Sequence, residues 1–73
     1  MEGDLQATFG RNLAAYRKER GLSQEALAEV LDVHRTYMGS VERGERNLTL
    51  KSVERIAERL GVSAVDLLGE TSS

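Results

Sequence analysis

Apolar residues recur at helical spacing in five stretches of the chain, and glycines or polar turns punctuate them. Leu5, Phe9, Leu13 and Tyr16 lie three to four positions apart and mark one face of a first helix, from about Leu5 to Arg20. Gly21 stops it, with Lys18 and Arg20 in the last turn, where cations suit the helix dipole. A second helix follows. Ser23 is its N-cap, Glu25 suits its first turn, and Leu27, Ala28 and Leu31 form its inward face. Asp32-Val33-His34 is long enough only for a tight turn, and Asp32 tolerates the left-handed backbone such a turn wants.

A third helix is predicted from Arg35 to Arg43, closed by Gly44. At about 100° per residue, Tyr37, Met38, Val41 and Glu42 fall on one side, while Arg35, Thr36, Gly39, Ser40 and Arg43 fall on the other. His34 is placed to cap this helix. A loop, Glu45 to Leu48, leads to a fourth helix capped by Thr49, with Leu50, Val53, Ile56, Ala57 and Leu60 in one stripe and Gly61 as its stop. Ser63 caps a short fifth helix, Ala64 to Leu68, with Asp66 completing a capping-box pattern. Val and Ile occur only within helical periods, so no strand is expected. The pattern predicts an all-α, compact five-helix fold: a single domain over 1–73, structured over about 5–68, with Met1 to Asp4 and Gly69 to Ser73 frayed.

Composition narrows the options. Seventy-three residues bury a modest share of their surface, so the margin of stability is thin. With no cysteine and a single histidine, neither disulfides nor a metal site is expected to staple the fold, and no cofactor is implied. Helix packing and oligomerisation are the remaining supports. The lack of cysteine fits a cytoplasmic location, no apolar run approaches the roughly 18 residues of a membrane span, and the acidic start is no signal peptide. An enzyme is not expected. There is no Ser-His-Asp or Cys-His grouping and no glycine-rich phosphate loop, and the glycines read as helix stops.

The net charge of −2 argues mildly against nucleic acid, but its distribution does not. Residues 35–55 carry five basic groups (Arg35, Arg43, Arg46, Lys51, Arg55) against three acidic ones, whereas both flanks are net negative. A local basic face outweighs the total. It coincides with the unit Gln24 to Arg43, a helix, a three-residue turn and a second helix, which is the helix-turn-helix arrangement. An arginine at the start of the second of these helices can fork onto guanine O6 and N7 in the major groove, worth about 1–3 kcal/mol against a wrong base. Glycine inside a helix costs about 1 kcal/mol relative to alanine. Gly39 is therefore explained either by close approach to base edges or by close helix packing.

Gly21-Leu22-Ser23-Gln24-Glu25, Leu27-Ala28, Val33, Val41-Glu42-Arg43-Gly44, Arg46-Asn47 and Gly61-Val62-Ser63 fall in order along the chain. In these motifs the sequence resembles the Xre/Cro/cI family of phage-repressor-like regulators, over about residues 9–68. Arg35-Thr36-Tyr37, Glu42-Arg43-Gly44 and Arg46-Asn47-Leu48-Thr49-Leu50 resemble the controller proteins of restriction-modification systems. The resemblance implies a lambda-repressor-like fold and a transcription regulator that binds a palindromic double-stranded DNA operator as a homodimer. Two dimers on adjacent sites, RNA polymerase as a further partner, and feedback on its own promoter belong to the same implication. Arg35, Thr36 and Ser40 match base-reading positions. Gln24, Arg43, Arg46 and Asn47 match DNA-backbone positions; Tyr37 is a further candidate for a backbone contact through its hydroxyl, its ring being suited first to packing between helices. Arg17 and Glu42 match a buried ion pair tying the first helix to the third.

Val65, Leu67 and Leu68 give the fifth helix more apolar surface than a small monomer easily covers, and a two-fold dimer interface is expected there. The competing reading is a protein-interaction module, such as an antitoxin or anti-repressor with the same fold. It would place apolar anchors on the outward face of the third helix, where the sequence has Arg35, Thr36, Gly39, Ser40 and Arg43. With no sensing module expected, regulation would run through concentration.

Overall fold

The computed structural model describes residues 3–69, which form five helices and no strand: α1 (Gly3–Glu19), α2 (Gln24–Leu31), α3 (Arg35–Glu42), α4 (Leu50–Leu60) and α5 (Ala64–Leu68). The order and number are those expected. Asp4, expected in a frayed end, instead lies in the first turn of α1, where its negative charge suits the positive helix terminus. Gly3 likewise opens α1 rather than fraying, and Gly69 is held, its N–H donating to the Val65 carbonyl and its carbonyl accepting from Asn12 Nδ2; the fraying expected at Met1, Glu2 and 70–73 lies outside the described residues. No helix among those described is long and apolar enough to cross a membrane.

The caps account for the boundaries. Backbone N–H groups of Ala26, Ser52 and Val65 donate to the side chains of Ser23, Thr49 and Ser63, and Ser63 N–H donates back to Asp66 Oδ2. Each such cap contributes about 1 kcal/mol by satisfying a donor that the helix leaves unpaired. Asp32 adopts φ +58°, the left-handed conformation predicted for the tight turn, and its N–H donates to the Glu29 carbonyl. Gly61 ends α4 at φ +70°.

Around one core, α1 packs on α3 and α5, α2 on α3 and α4, and α4 on α5. Phe9, Leu13, Leu27, Met38, Val41, Leu48 and Val53 are fully buried, joined by Ala28, Leu31, Ile56, Ala57 and Leu67. Two stripe residues depart from expectation. Leu5 and Leu50 are 45% and 65% exposed, because each sits in the first turn of its helix and overhangs the core edge. Leu48, in the loop, is buried instead. Its N–H donates to Gln6 Oε1, and Gln6 Nε2 donates to the Gly44 carbonyl, so α1 holds both ends of the 44–48 loop.

The tightest approach is between α1 and α3. Gly10 is buried, and a Cβ at that position would lie 2.4 Å from the Val41 carbonyl oxygen and 2.6 Å from that of Glu42. These are backbone atoms that cannot swing aside. Gly10 is thus no helix stop, as a sequence reading of the glycines suggests, but the point where α1 lies directly on the last turn of α3. We expect Gly10→Ala to destabilise despite alanine's better helix propensity, which is worth about 1 kcal/mol. Overpacking against a rigid backbone costs about 1–3 kcal/mol, and for contacts this short the upper end applies. A domain of this size should lose several degrees of melting temperature for each net kcal/mol, at roughly 4–8 °C. Thermal denaturation followed by circular dichroism checks this; an unchanged midpoint would contradict the close packing.

Candidate nucleic-acid interface

Met38 and Val41 turn into the core, which rotates Arg35 and Thr36 of α3 and its C-cap Arg43 outward and leaves Ser40 half-buried. The Thr36 N–H donates to His34 Nδ1 at 3.1 Å, so His34 is the N-cap, and that ring nitrogen carries no proton while it caps. The Ser40 hydroxyl donates to the Tyr37 carbonyl at 2.8 Å; its oxygen still has an acceptor site, while its proton is committed within the helix.

An ion pair fixes the end of α3. Arg17 Nε donates to Glu42 Oε2 at 2.7 Å and Arg17 Nη2 to Glu42 Oε1 at 3.0 Å, a two-pronged contact with the side chains only 14% and 6% exposed. Arg17 Nη1 donates to the Leu22 carbonyl at 3.0 Å, and Gln24 Nε2 to Glu42 Oε1 at 3.0 Å. The Glu42 carboxylate therefore ties α1 and the first residue of α2 to the last of α3, and Arg17 extends the network to the α1–α2 turn. The hydrogen bond to Glu42 holds the Arg17 guanidinium above its ordinary pKa, against the opposite effect of burial and with help from the Glu42 charge. A raised folded-state pKa stabilises at every pH below the unfolded value and is lost only as pH rises through the folded one. On Arg17's side the pair therefore holds throughout the neutral range.

The outward cations are also partnered. Arg35 Nη1 lies 3.2 Å from Glu25 Oε2, and Arg43 Nε lies 3.0 Å from Glu45 Oε1. The Arg46 guanidinium sits over the Tyr37 ring, 4.7 Å from its centroid. Tyr37 is half-buried against the core, so its packing role holds, and it also seats a loop arginine on the α3 side. Asn47 is exposed in the same loop.

Of the two explanations for Gly39, the structure favours close packing. The glycine is buried rather than open, because two side chains cross it: a Cβ there would lie 3.2 Å from Arg43 Nη1 and 3.6 Å from Gln24 Oε1. The missing side chain makes a notch over which Gln24 and Arg43 lie on α3. Glu25, Glu45 and Gln6 were not singled out for these roles in the sequence, because their partners lie on other elements or depend on how a loop folds. Gly10 carried a signal: a glycine inside a long helix, next to its apolar stripe.

The expected dimer residues do not share one environment. Val65 is 73% exposed and Leu68 is half-buried, but Leu67 is 3% exposed and lies in the protomer's own core. Residues two apart on a helix face about 200° away from each other, so Leu67 cannot join Val65 on an outer face. The fifth helix offers Val65 and the edge of Leu68 only.

Residues 13–67 match the helix-turn-helix (HTH_3) family model. Over 65 residues the chain is 46% identical to the control protein C.SmaI of Serratia marcescens, spanning 89% of this chain and 77% of that one. It is 40% identical over 73 residues to the control protein C.BamHI of Bacillus amyloliquefaciens, spanning 99% and 90% respectively. Among solved structures, the hypothetical transcription factor NHTF from Neisseria superposes with a TM-score of 0.80 at 40% identity, covering 89% of this chain and 75% of that one. The restriction-modification controller protein C.AhdI of Aeromonas hydrophila gives 0.74 at 39% identity, covering 85% and 94%. The family resemblance seen in the sequence motifs is thereby established.

Two substitutions test the geometry. Glu42→Ala strands the Arg17 charge and should cost about 3–5 kcal/mol, read as a lower urea midpoint, whereas the double variant Arg17→Met/Glu42→Leu should lose much less. A Glu42→Ala protein as stable as the parent would contradict the pair's role. Gly39→Ala should instead stabilise α3 by up to about 1 kcal/mol, since the crowding atom is the far end of an exposed arginine. It should also weaken DNA binding by displacing Arg43, whose Nη1 would lie 3.2 Å from the added Cβ. Loss of stability, or unchanged binding in a gel-shift titration, would contradict the notch.

Proposed function

The chain belongs to the helix-turn-helix (HTH_3) family of DNA-binding transcriptional regulators, and from that premise we propose that it is a controller of restriction-modification genes, acting as a homodimer on a palindromic operator. One observation carries the mode of action. The outward face of α3 is polar, holds arginines at both ends, and rests on a helix locked in place by the Arg17–Glu42–Gln24 network. The relatives named as control proteins support the regulatory assignment.

In this reading α3 enters the major groove. Arg35 at its start reads guanine, Thr36 reads the neighbouring base edge, and Ser40 contributes as an acceptor. Gln24, Arg43, Arg46 and Asn47 hold phosphates and set the register, with Tyr37 acting through the arginine it seats. Val65, with the edge of Leu68, joins two copies so that their recognition helices reach successive major grooves, about 34 Å apart. The regulator works on cytoplasmic DNA, and RNA polymerase is the partner through which bound dimers act on transcription.

The protein-interaction alternative finds less support. Among the described residues the exposed large apolar side chains are Leu5, Val30, Leu50 and Val65, none of them on α3.

Selection of duplexes from a random pool with the purified protein tests the reading. We expect enrichment of a palindrome with half-sites about one helical turn apart; no enrichment by folded protein would favour the interaction module. On the enriched duplex, Arg46→Ala should weaken binding to matched and mismatched sites alike and reduce the slope of log affinity against log salt by about 1. Arg35→Ala should relax preference at one base position per half-site. Identical behaviour of the two variants would contradict the division of labour. Val65→Asp should shift sedimentation equilibrium at tens of micromolar toward monomer, and a parent protein that is already monomeric there would rule out the interface.

A further inference from the structure

Arg35 occupies an unusual position. It is the first residue of α3, at the positive end of the helix dipole, where a cation is disfavoured. Nothing in the helix itself holds or orients its long side chain. What meets it is Glu25, in the first turn of α2, whose Oε2 lies 3.2 Å from Arg35 Nη1. The two side chains are 69% and 67% exposed, so the contact adds little to stability, as is usual for surface pairs.

The contact has two further consequences. Glu25 engages one terminal nitrogen of the guanidinium and leaves Nη2 and Nε as donors. A two-pronged contact to guanine needs two such donors held in one plane and one direction. A flexible arginine reaches the nearest phosphate as readily as a base. An arginine braced from the α2 side is turned along the groove edge instead, and its charge is partly answered before any phosphate is met. Glu25 itself repels phosphate, so its presence on this face lowers affinity for DNA in general. The carboxylate suits the first turn of α2, and it also raises the contrast between right and wrong sequences.

We infer that Glu25 is a positioning residue for sequence discrimination, acting through Arg35. The inference rests on the DNA-reading assignment of α3. Glu45 provides the contrast. It pairs with Arg43, which is assigned to phosphate, so its removal raises affinity without changing the preference for sequence.

The test uses the full chain, the duplex enriched by the parent protein, and the same duplex altered at the base position that depends on Arg35. Fluorescence anisotropy gives both dissociation constants. For Glu25→Ala the ratio between the two duplexes should fall by about tenfold, a part of the discrimination one arginine–guanine contact supplies, while binding to the altered duplex tightens. Glu25→Gln, which keeps an acceptor for Arg35, should recover part of the ratio. In an Arg35→Ala background, Glu25→Ala should tighten both duplexes equally and leave the ratio alone. Glu45→Ala should tighten both equally in the parent background. Both glutamates are exposed, and equal melting temperatures establish that every variant is folded. An unchanged ratio in Glu25→Ala, or the same change with and without Arg35, overturns the positioning role and leaves the DNA reading intact. A parent protein that does not distinguish the two duplexes overturns both.

Discussion

The Arg17–Glu42 pair is the contact on which the recognition surface depends. It joins the last turn of α1 to the last residue of α3, and both side chains are nearly enclosed. A charge so placed is costly unless fully partnered, and here the partners are complete: Glu42 accepts from Arg17 twice and from Gln24, while Arg17 also donates to the Leu22 carbonyl. The same atoms that make the pair tolerable fix the angle of α3 against α1 and α2. Gly10 permits this geometry by letting the α1 backbone reach the carbonyls of Val41 and Glu42. In so small a domain, with no disulfide to help, the choice of a buried ion pair sets orientation more than it adds stability.

Electrostatics on the outer face follow a second logic. The chain carries a net charge of −2, yet its recognition helix bears arginines at the positions assigned to DNA. Arg35 and Arg43 each lie against a nearby carboxylate, and Arg46 lies over an aromatic ring. Contacts of this kind between exposed groups are weak and are exchanged readily for phosphate or base. In the proposed reading, these contacts moderate the attraction to DNA in general and direct the side chains across the face of α3.

Much of this was legible in the sequence because it rests on local rules. The five helices follow from apolar period and from caps such as Ser23, Thr49 and Ser63, and Asp32 was recognisable as the left-handed turn residue. The inward side of α3 followed from its angular spacing at Met38 and Val41. What was not legible depends on how elements meet. Leu48 belongs to no periodic run, and only the folded loop, held by Gln6, sends it inward. Gly39 sits on the polar side by angle, yet Gln24 and Arg43 cover it. Leu67 was grouped with Val65 on composition, although the helix places them on opposite sides.

The central claim is that the locked α3 face, with Gln24 and the loop at 43–47, reads DNA. Titrating isotope-labelled protein with the enriched duplex and following backbone amide shifts tests it most directly. The account predicts large shifts at Gln24, from Arg35 to Ser40 and from Arg43 to Asn47, with a smaller and differently distributed set for a scrambled duplex. Shifts centred on α4 and α5, or the same pattern for both duplexes, would contradict it.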